Sequence, residues 1–214
     1  MNAQFEYGEI DPTVENAKMV QYMTLVDLST GGHINSLEIA NPKNNSLVEQ
    51  QRTRLKDNPE RYKGSYDALG DLVGYIKVDD WKFALQKDFE HGVEKKLLVA
   101  RKFLTRSHLL PGNPLGIMGL VADPRLKETY GQQAVSGMLG KLVDYAIDVS
   151  EEDVTPRAIY VPHYKDDPVI EATVSRDFFY TGKSGMSFGM QQRLYVRPAG
   201  TKVINRKVRS DNII

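Results

Sequence analysis

Apolar and polar residues between positions 115 and 182 follow the order strand, helix, strand, helix. The apolar run LGIMGLVADP predicts a buried strand, and the segment QAVSGMLGKLVDYAID has its apolar residues at helical spacing. RAIYVPHY predicts a second strand, and the residues from there to FFYTG predict a second helix. Because a helix that follows a strand presents backbone amides at its N-terminus, this order predicts a ligand that carries phosphate.

The N-terminal part of the chain predicts one strand and two helices. Residues 3–10 alternate as a strand does, and Asp11-Pro12-Thr13 supplies a helix start. The helix that follows is expected to close at Gly31-Gly32. Residues 33–63 are polar and predict a loop and a solvated helix that is interrupted at Pro59.

The other segments predict a hairpin, an insertion and the last strands. Residues 62–81 contain two β-like runs around a turn at Gly70-Asp71. From about residue 81 to 114 the sequence predicts helix and loop inserted between strands, with an apolar stripe that covers the sheet or meets a second subunit. MSFGMQQRLYVRP predicts a strand, and the terminal KVINRKVRSDNII predicts a short strand or a basic tail.

The composition is that of a globular protein without a charge-driven partner. The chain has 214 residues and 41% hydrophobic content, which favours a single domain over residues 1–214. Lysine plus arginine and aspartate plus glutamate each total 28, so the bulk charge predicts neither nucleic acid nor an anionic membrane as partner. The basic residues Arg52, Arg54 and Lys56 alternate with acidic ones, which is typical of a solvated helix face.

Cysteine, histidine and the N-terminus narrow the chemistry and the location. The absence of cysteine excludes disulfides, thiol nucleophiles and thiolate metal sites. The four histidines form no HxxxH or HExxH spacing, so no metal site is predicted. The N-terminus lacks the basic start and apolar run of a secretory signal, and no apolar run approaches the roughly 20 residues of a membrane span. We therefore expect a cytoplasmic protein.

Three segments resemble the GCN5-related N-acetyltransferase (GNAT) superfamily. DALGDLVGYIKV resembles the hairpin before the cofactor strand, IMGLVADPRLK resembles the fourth strand and its V-x-P exit, and RAIYVPHYKDDPVIEATVSRDFFYTG resembles the fifth strand and fourth helix. The resemblance implies an α/β (α+β) fold with a mixed, mostly antiparallel central sheet flanked by helices, and a helical insertion before the cofactor strand. It also implies acetyl-CoA as acyl donor, bound along a strand as an added strand would be and over a helix N-terminus.

The family's pyrophosphate cradle reads Q/R-x-x-G-x-G/A, and the corresponding segment here is LKETYGQQAVSG. With Tyr130 in the Q/R position, Gln133 and Val135 occupy the two small-residue sites. With Lys127 in that position, Tyr130 and Gln132 occupy them. Both registers remain open at the level of sequence.

Gly131 is the one glycine that either register keeps in the cradle. A β-branched Val135 would narrow the space for a phosphate. The alternative to a cradle is an ordinary helix start, with Thr129 as N-cap and no ligand. The resemblance assigns cofactor binding to Met118, Leu120, Val121, Ala122, Lys127, Gly131, Gln132, Gln133, Ala134, Val135 and Ser136.

The candidate catalytic residues follow the fifth strand. The family commonly uses a tyrosine of the fourth helix to protonate the leaving thiolate, and Val174 stands at that position here. His163 and Tyr164 are the nearest titratable residues and are the predicted catalytic pair, whereas the alternative for His163 is an exposed loop. Three aspartates at strand exits fit a general base, a turn or a helix cap: Asp79, Asp80 and Asp123.

The resemblance predicts an acetyl-CoA-dependent N-acetyltransferase that acts on a primary amine of a small molecule or peptide. A second hypothesis is a GNAT-shaped binding or regulatory protein without catalysis. A third is an unrelated α/β protein that shares only the strand order and lacks the V-shaped separation of the fourth and fifth strands. We also expect the insertion or the last strands to support a homodimer.

Overall fold

A seven-stranded mixed sheet organises the computed structural model, which describes residues 4–30, 45–80, 114–152, 156–164, 169–187 and 190–201. The strands are β1 Glu6–Gly8, β2 Tyr62–Tyr66, β3 Leu72–Asp80, β4 Leu115–Ala122, β5 Ile159–Tyr164, β6 Phe179–Ser187 and β7 Met190–Arg197. The helices are α1 Val14–Thr30, α2 Asn45–Asp57, α3 Arg125–Tyr130, α4 Gln132–Glu151 and α5 Ile170–Val174. A 3-10 turn, Pro59–Arg61, leads from α2 into β2.

The strand order is β1-β2-β3-β4-β5-β7-β6, and the pairing of β4 with β5 is parallel while the others are antiparallel. This confirms the predicted mixed, mostly antiparallel sheet flanked by helices. The predicted insertion falls in the chain between β3 and β4. Its structure, the helix closure at Gly31-Gly32 and the terminal tail lie outside the described residues.

Helices cover the sheet on both faces because its strands alternate apolar side chains between two cores. Tyr75 and Ile76 are neighbours in β3, yet Tyr75 packs with α1 and α2 while Ile76 packs with α4. In α4 the buried residues recur at helical spacing and form one apolar stripe against the sheet. The stripe contains Val135, Met138, Leu139, Leu142, Val143 and Ala146.

Local signals placed the first hairpin and the start of α1 correctly. The turn between β2 and β3 is closed by the Asp67 side chain, which accepts the N–H groups of Leu69 and Asp71, and Gly70 adopts a φ of 82° there. The Thr13 hydroxyl accepts the N–H of Asn16 at 3.1 Å and caps α1.

The prediction was wrong about the segment that ends in FFYTG. The helix there is only α5, and Phe179 already begins the long strand β6. Asp177 adopts a φ of 62°, in the left-handed region that ends helices, and Phe178 is buried directly after it. The single strand predicted for MSFGMQQRLYVRP instead includes the last two residues of β6 and all of β7, which pair as a hairpin.

Candidate functional site

The strands β4 and β5 separate soon after they meet. They pair at two positions, Leu115 with Ile159 and Gly116 with Tyr160, although β4 continues to Ala122. Beyond Gly116 and Tyr160 the two strands are no longer paired, and we call the space between their C-terminal ends the cleft. The third hypothesis, an unrelated α/β protein without this separation, is therefore wrong.

A β-bulge in β4 lies at the mouth of this cleft. Lys77 of β3 stands opposite Gly119 and Val78 stands opposite Ile117, so Met118 is an extra residue in β4. Met118 is 38% exposed, whereas Ile117 before it is buried. The bulge thus turns one side chain out of the sheet, two residues past the last β4–β5 pair.

The path from β4 into α4 passes through the short helix α3 and bends at Gly131. Gly131 has a φ of 81°, and a Cβ built on it would meet no atom within 4 Å, so the space beside it is open. Part of the segment between β4 and α4 forms α3. Thr129 lies inside α3 and donates to the carbonyl of Arg125 at 3.2 Å, so the predicted N-cap role of Thr129 is wrong.

The start of α4 offers backbone donors that no described side chain caps. Val135 N–H is bonded to the Gly131 carbonyl at 3.3 Å, whereas no hydrogen bond between described residues engages the N–H groups of Gln132, Gln133 and Ala134. These groups, together with the helix dipole, favour an anion. Since α4 follows β4, they lie at the end of the sheet where the cleft opens.

The side chain of Val135 does not lie in this open space. Val135 is 8% exposed and packs in the core between α4 and the sheet. The expectation that it narrows the room for a phosphate is therefore wrong, because the helical phase turns it inward. With open space at Gly131 and amides at the start of α4 that no described residue engages, the residues present fit a phosphate group.

The other predicted cofactor residues divide between buried and accessible positions. The side chains of Leu120 and Val121 are buried in opposite cores, so a ligand can reach only their backbone. The accessible or half-buried positions are Met118, Ala122, Lys127, Gln132, Gln133, Ala134 and Ser136.

The predicted catalytic histidine lies inside the fold. His163 belongs to β5 and is 2% exposed, so it is not in an exposed loop. Thr173 donates its hydroxyl to the Ile170 carbonyl at 2.9 Å, so His163 Nε2 is the donor to Thr173 Oγ1, also at 2.9 Å. The imidazole also meets the Tyr195 ring edge-to-face at 5.3 Å. His163 thereby ties β5 to α5 and β7.

The catalytic role of His163 and Tyr164 stays a prediction. Tyr164 ends β5, and its side chain lies outside the described residues. Val174, at the position of the family tyrosine, is the last residue of α5 and is 50% exposed. That position is accessible but carries no group that can transfer a proton.

All three aspartates at strand exits are engaged by arginines. Arg61 Nη1 lies 2.9 Å from Asp79 Oδ1, and Arg157 Nη1 lies 2.5 Å from Asp80 Oδ1. Asp123 accepts the N–H of Arg125 and forms an ion pair with its guanidinium. Burial opposes ionisation of Asp123, but the hydrogen bonds and charge of Arg125 outweigh it and hold the pKa below its usual value.

Sequence reasoning missed Glu171, which lies beside the start of α4. The Ser136 hydroxyl donates to Glu171 Oε2 at 3.4 Å across 35 residues of sequence. Glu171 is exposed on α5, but no local sequence pattern indicates which surface it faces.

Two features are absent from the described ranges, a metal-binding cluster and a membrane-spanning helix. Among these residues, no group of three or more histidine, aspartate or glutamate side chains is arranged to hold a metal ion. In the same part of the chain, no helix is long and apolar enough to cross a membrane.

The fold is similar to that of several solved acetyltransferases. An N-acetyltransferase from Staphylococcus aureus aligns with a TM-score of 0.56 and 11% identity over 90% of this chain and 100% of its own. A GNAT superfamily phosphinothricin acetyltransferase from Sinorhizobium meliloti, in complex with AcCoA, has a TM-score of 0.50 and 14% identity over 94% and 90%. The spermidine/spermine N-acetyltransferase of Vibrio cholerae has a TM-score of 0.53 and 11% identity over 91% and 95%. No protein-family model and no curated protein matches the sequence.

Proposed function

We propose that this chain, which has the fold of the GCN5-related N-acetyltransferase superfamily, is an acetyl-CoA-dependent N-acetyltransferase that acts on a primary amine. One observation carries the proposal: the cleft between β4 and β5 lies at the end of the sheet where α4 begins with backbone amides that no described residue engages. An extended molecule with a diphosphate, such as acetyl-CoA, matches both features.

The chain's own residues supply binding and orientation in this proposal. The edge of β4 from Ile117 to Ala122, no longer paired with β5, offers backbone groups to the pantetheine arm. The N–H groups of Gln132, Gln133 and Ala134 hold the diphosphate, and Gly131 leaves the space for it. When bound, acetyl-CoA supplies the acyl group as an activated thioester.

Proton transfer is proposed for His163 and Tyr164 at the end of β5. The amine acceptor, a small molecule or a peptide, has to lose a proton before it attacks, and a side chain or a water can accept it. Homodimerisation also stays a prediction, supported by the exposed aromatic residues Phe179 and Tyr180 on the edge strand β6.

A second candidate function is a GNAT-shaped binding or regulatory protein without catalysis, in which the start of α4 holds no phosphate. The exposed Val174 favours it, because the tyrosine that serves the family as acid is replaced by a side chain without a proton to give. Acetyl-CoA binding and turnover together decide between the two candidates.

Titration calorimetry and an acetyl-transfer assay on amino acids, polyamines and peptides test the proposal. We expect acetyl-CoA and CoA to bind wild type, and acetyl-CoA to be consumed with at least one amine class. No heat with either ligand at millimolar concentration would refute the N-acetyltransferase and support the binding or regulatory candidate. Binding without turnover across the panel would show a protein without catalysis that still holds the cofactor.

A pair of glycine variants tests whether the ligand binds in the cleft. Gly131→Ala should weaken CoA binding by about tenfold, because the added methyl group occupies space that the phosphate approaches and strains a left-handed residue. Gly70→Ala is the matched control, since Gly70 has a φ of 82° and equally open surroundings but lies in the β2–β3 turn. Equal CoA affinity in the two variants would contradict a diphosphate at Gly131.

A further inference from the structure

The Glu171 carboxylate already accepts a hydrogen bond from a side-chain donor, the Ser136 hydroxyl, at the start of α4. Glu171 is exposed in the first turn of α5, and its Oε2 accepts from the Ser136 hydroxyl at 3.4 Å. The side-chain amide of Gln132 lies 3.5 Å from the same hydroxyl. Glu171 therefore faces the polar groups that surround the proposed diphosphate site.

The position of Glu171 is fixed by contacts on the rest of its helix. Arg176, just after α5, binds the Asp144 carboxylate of α4 with two hydrogen bonds of 2.6 and 3.1 Å. Thr173, two residues after Glu171, is buried and bonded to His163 of β5. Since α5 is held to α4 and to β5, the carboxylate cannot leave the start of α4 without moving its helix or rotating its side chain away.

This carboxylate and a diphosphate compete for the same surroundings. Both are anions that the dipole of α4 attracts, and both accept from the Ser136 hydroxyl. A diphosphate placed there meets a like charge at short range, which weakens its binding in proportion to its own charge. A ligand without phosphate escapes this penalty.

We propose that Glu171 is a specificity-determining residue of the donor cleft, which occupies Ser136 in the free protein and opposes the phosphates of the incoming acyl donor. The inference rests on the proposed function. According to this inference, the Glu171 side chain lowers the affinity of the protein for CoA. The open backbone at Gly131 and the start of α4 would otherwise allow tighter binding. Glu171 also makes discrimination between donors depend on their phosphate charge.

The test compares CoA with pantetheine, the part of CoA that carries no phosphate, on wild type and Glu171→Gln. The variant keeps the size of the side chain and removes its charge. We expect Glu171→Gln to bind CoA about three- to tenfold more tightly at low ionic strength and to bind pantetheine unchanged. The gain should shrink as salt is added, because the repulsion is screened.

The matched control is Glu152→Gln, which changes the net charge equally at the other end of α4, about 30 Å away along a helix of 20 residues. It should leave the CoA affinity as in wild type. An equal gain in Glu152→Gln, or equal gains for CoA and pantetheine in Glu171→Gln, would overturn the inference. If wild type bound CoA and Glu171→Gln bound it no more tightly, the inference would also be overturned, while the proposed function would stand. If CoA bound neither wild type nor Glu171→Gln, the proposed function would fail and this inference with it.

Discussion

Single side chains hold the turns around the cleft, and Asp123 illustrates how charge contributes. It lies between β4 and α3, is almost fully buried, and caps Arg125 N–H at 2.9 Å while pairing with the Arg125 guanidinium. Because the folded pKa of Asp123 is lowered, ionisation of Asp123 stabilises the fold above the unfolded pKa. That stability is lost as the pH falls through the folded pKa.

Asp123→Asn should lower the free energy of unfolding at pH 7 by about 1 kcal/mol, a modest figure because the Arg125 side chain is 68% exposed. Asparagine keeps an oxygen for the cap, so the loss reports mainly on charge. The difference from wild type should narrow as the pH is lowered from 5 toward 3, measured by urea denaturation. A difference that stays constant over this range would show that the charge of Asp123 is not the cause.

His163 is the second residue whose role the contacts allow to be tested. Besides the proposed proton transfer, the contacts of His163 with Thr173 and Tyr195 fit a second role, the positioning of α5. We expect His163→Ala to lose about 2–3 kcal/mol of stability through a cavity and the lost hydrogen bond to Thr173. His163→Gln, which retains a donor near the place of Nε2, should regain part of it.

Activity then separates the two roles of His163. If His163 is a positioning residue, His163→Gln should keep a large part of kcat and should have the pH profile of wild type. If His163→Gln folds as stably as wild type but loses kcat by about a hundredfold or more, the predicted catalytic role is supported instead.

At the scale of elements, α4 contains two glycines with opposite surroundings. Gly137 is exposed, and a Cβ added to it would meet no atom within 4 Å. A Cβ on Gly140 would lie 2.3–2.6 Å from the Arg176 guanidinium, which Asp144 holds in place. The absence of a side chain at Gly140 is therefore what lets α5 dock on α4.

Gly137→Ala should raise the free energy of unfolding by about 0.5–1 kcal/mol, because alanine favours the helix without a new contact. Gly140→Ala gains the same helix propensity but has to displace Arg176, so we expect a net loss of roughly 1–2 kcal/mol. Urea denaturation of both variants measures the contrast. Equal stabilisation in both would mean that Arg176 moves aside at no cost.

Sequence reasoning succeeded where an element is long and periodic. The apolar stripe of α4 and the turn at Gly70 carry strong local signals, and the structure has both. It failed for α5, because five helical residues show no period and the left-handed Asp177 that ends them has no distinctive neighbours. The direction of the Val135 side chain depends on the residue at which α4 begins. That residue is set by the bend at Gly131.

At the scale of the whole molecule, the cleft depends on contacts that are distant in sequence. Glu171 meets Ser136 only because Arg176 and Thr173 dock α5 on two separate elements. The separation of β4 and β5 was expected from resemblance to known proteins and not from the pattern of either strand. The apolar residues of such strands indicate that the strands are buried. The position at which two neighbouring strands stop pairing is instead set by the packing around both strands.

The two residue pairs between β4 and β5 also divide the sheet into unequal plates. One plate carries β1 to β4 and the other carries β5 to β7, and α4 contacts strands of both. Backbone hydrogen bonding contributes little to the boundary between the two plates. The angle between the plates is therefore governed by how the apolar face of α4 packs across that boundary. A core substitution in α4 can thus change the width of a groove whose lining residues it never touches.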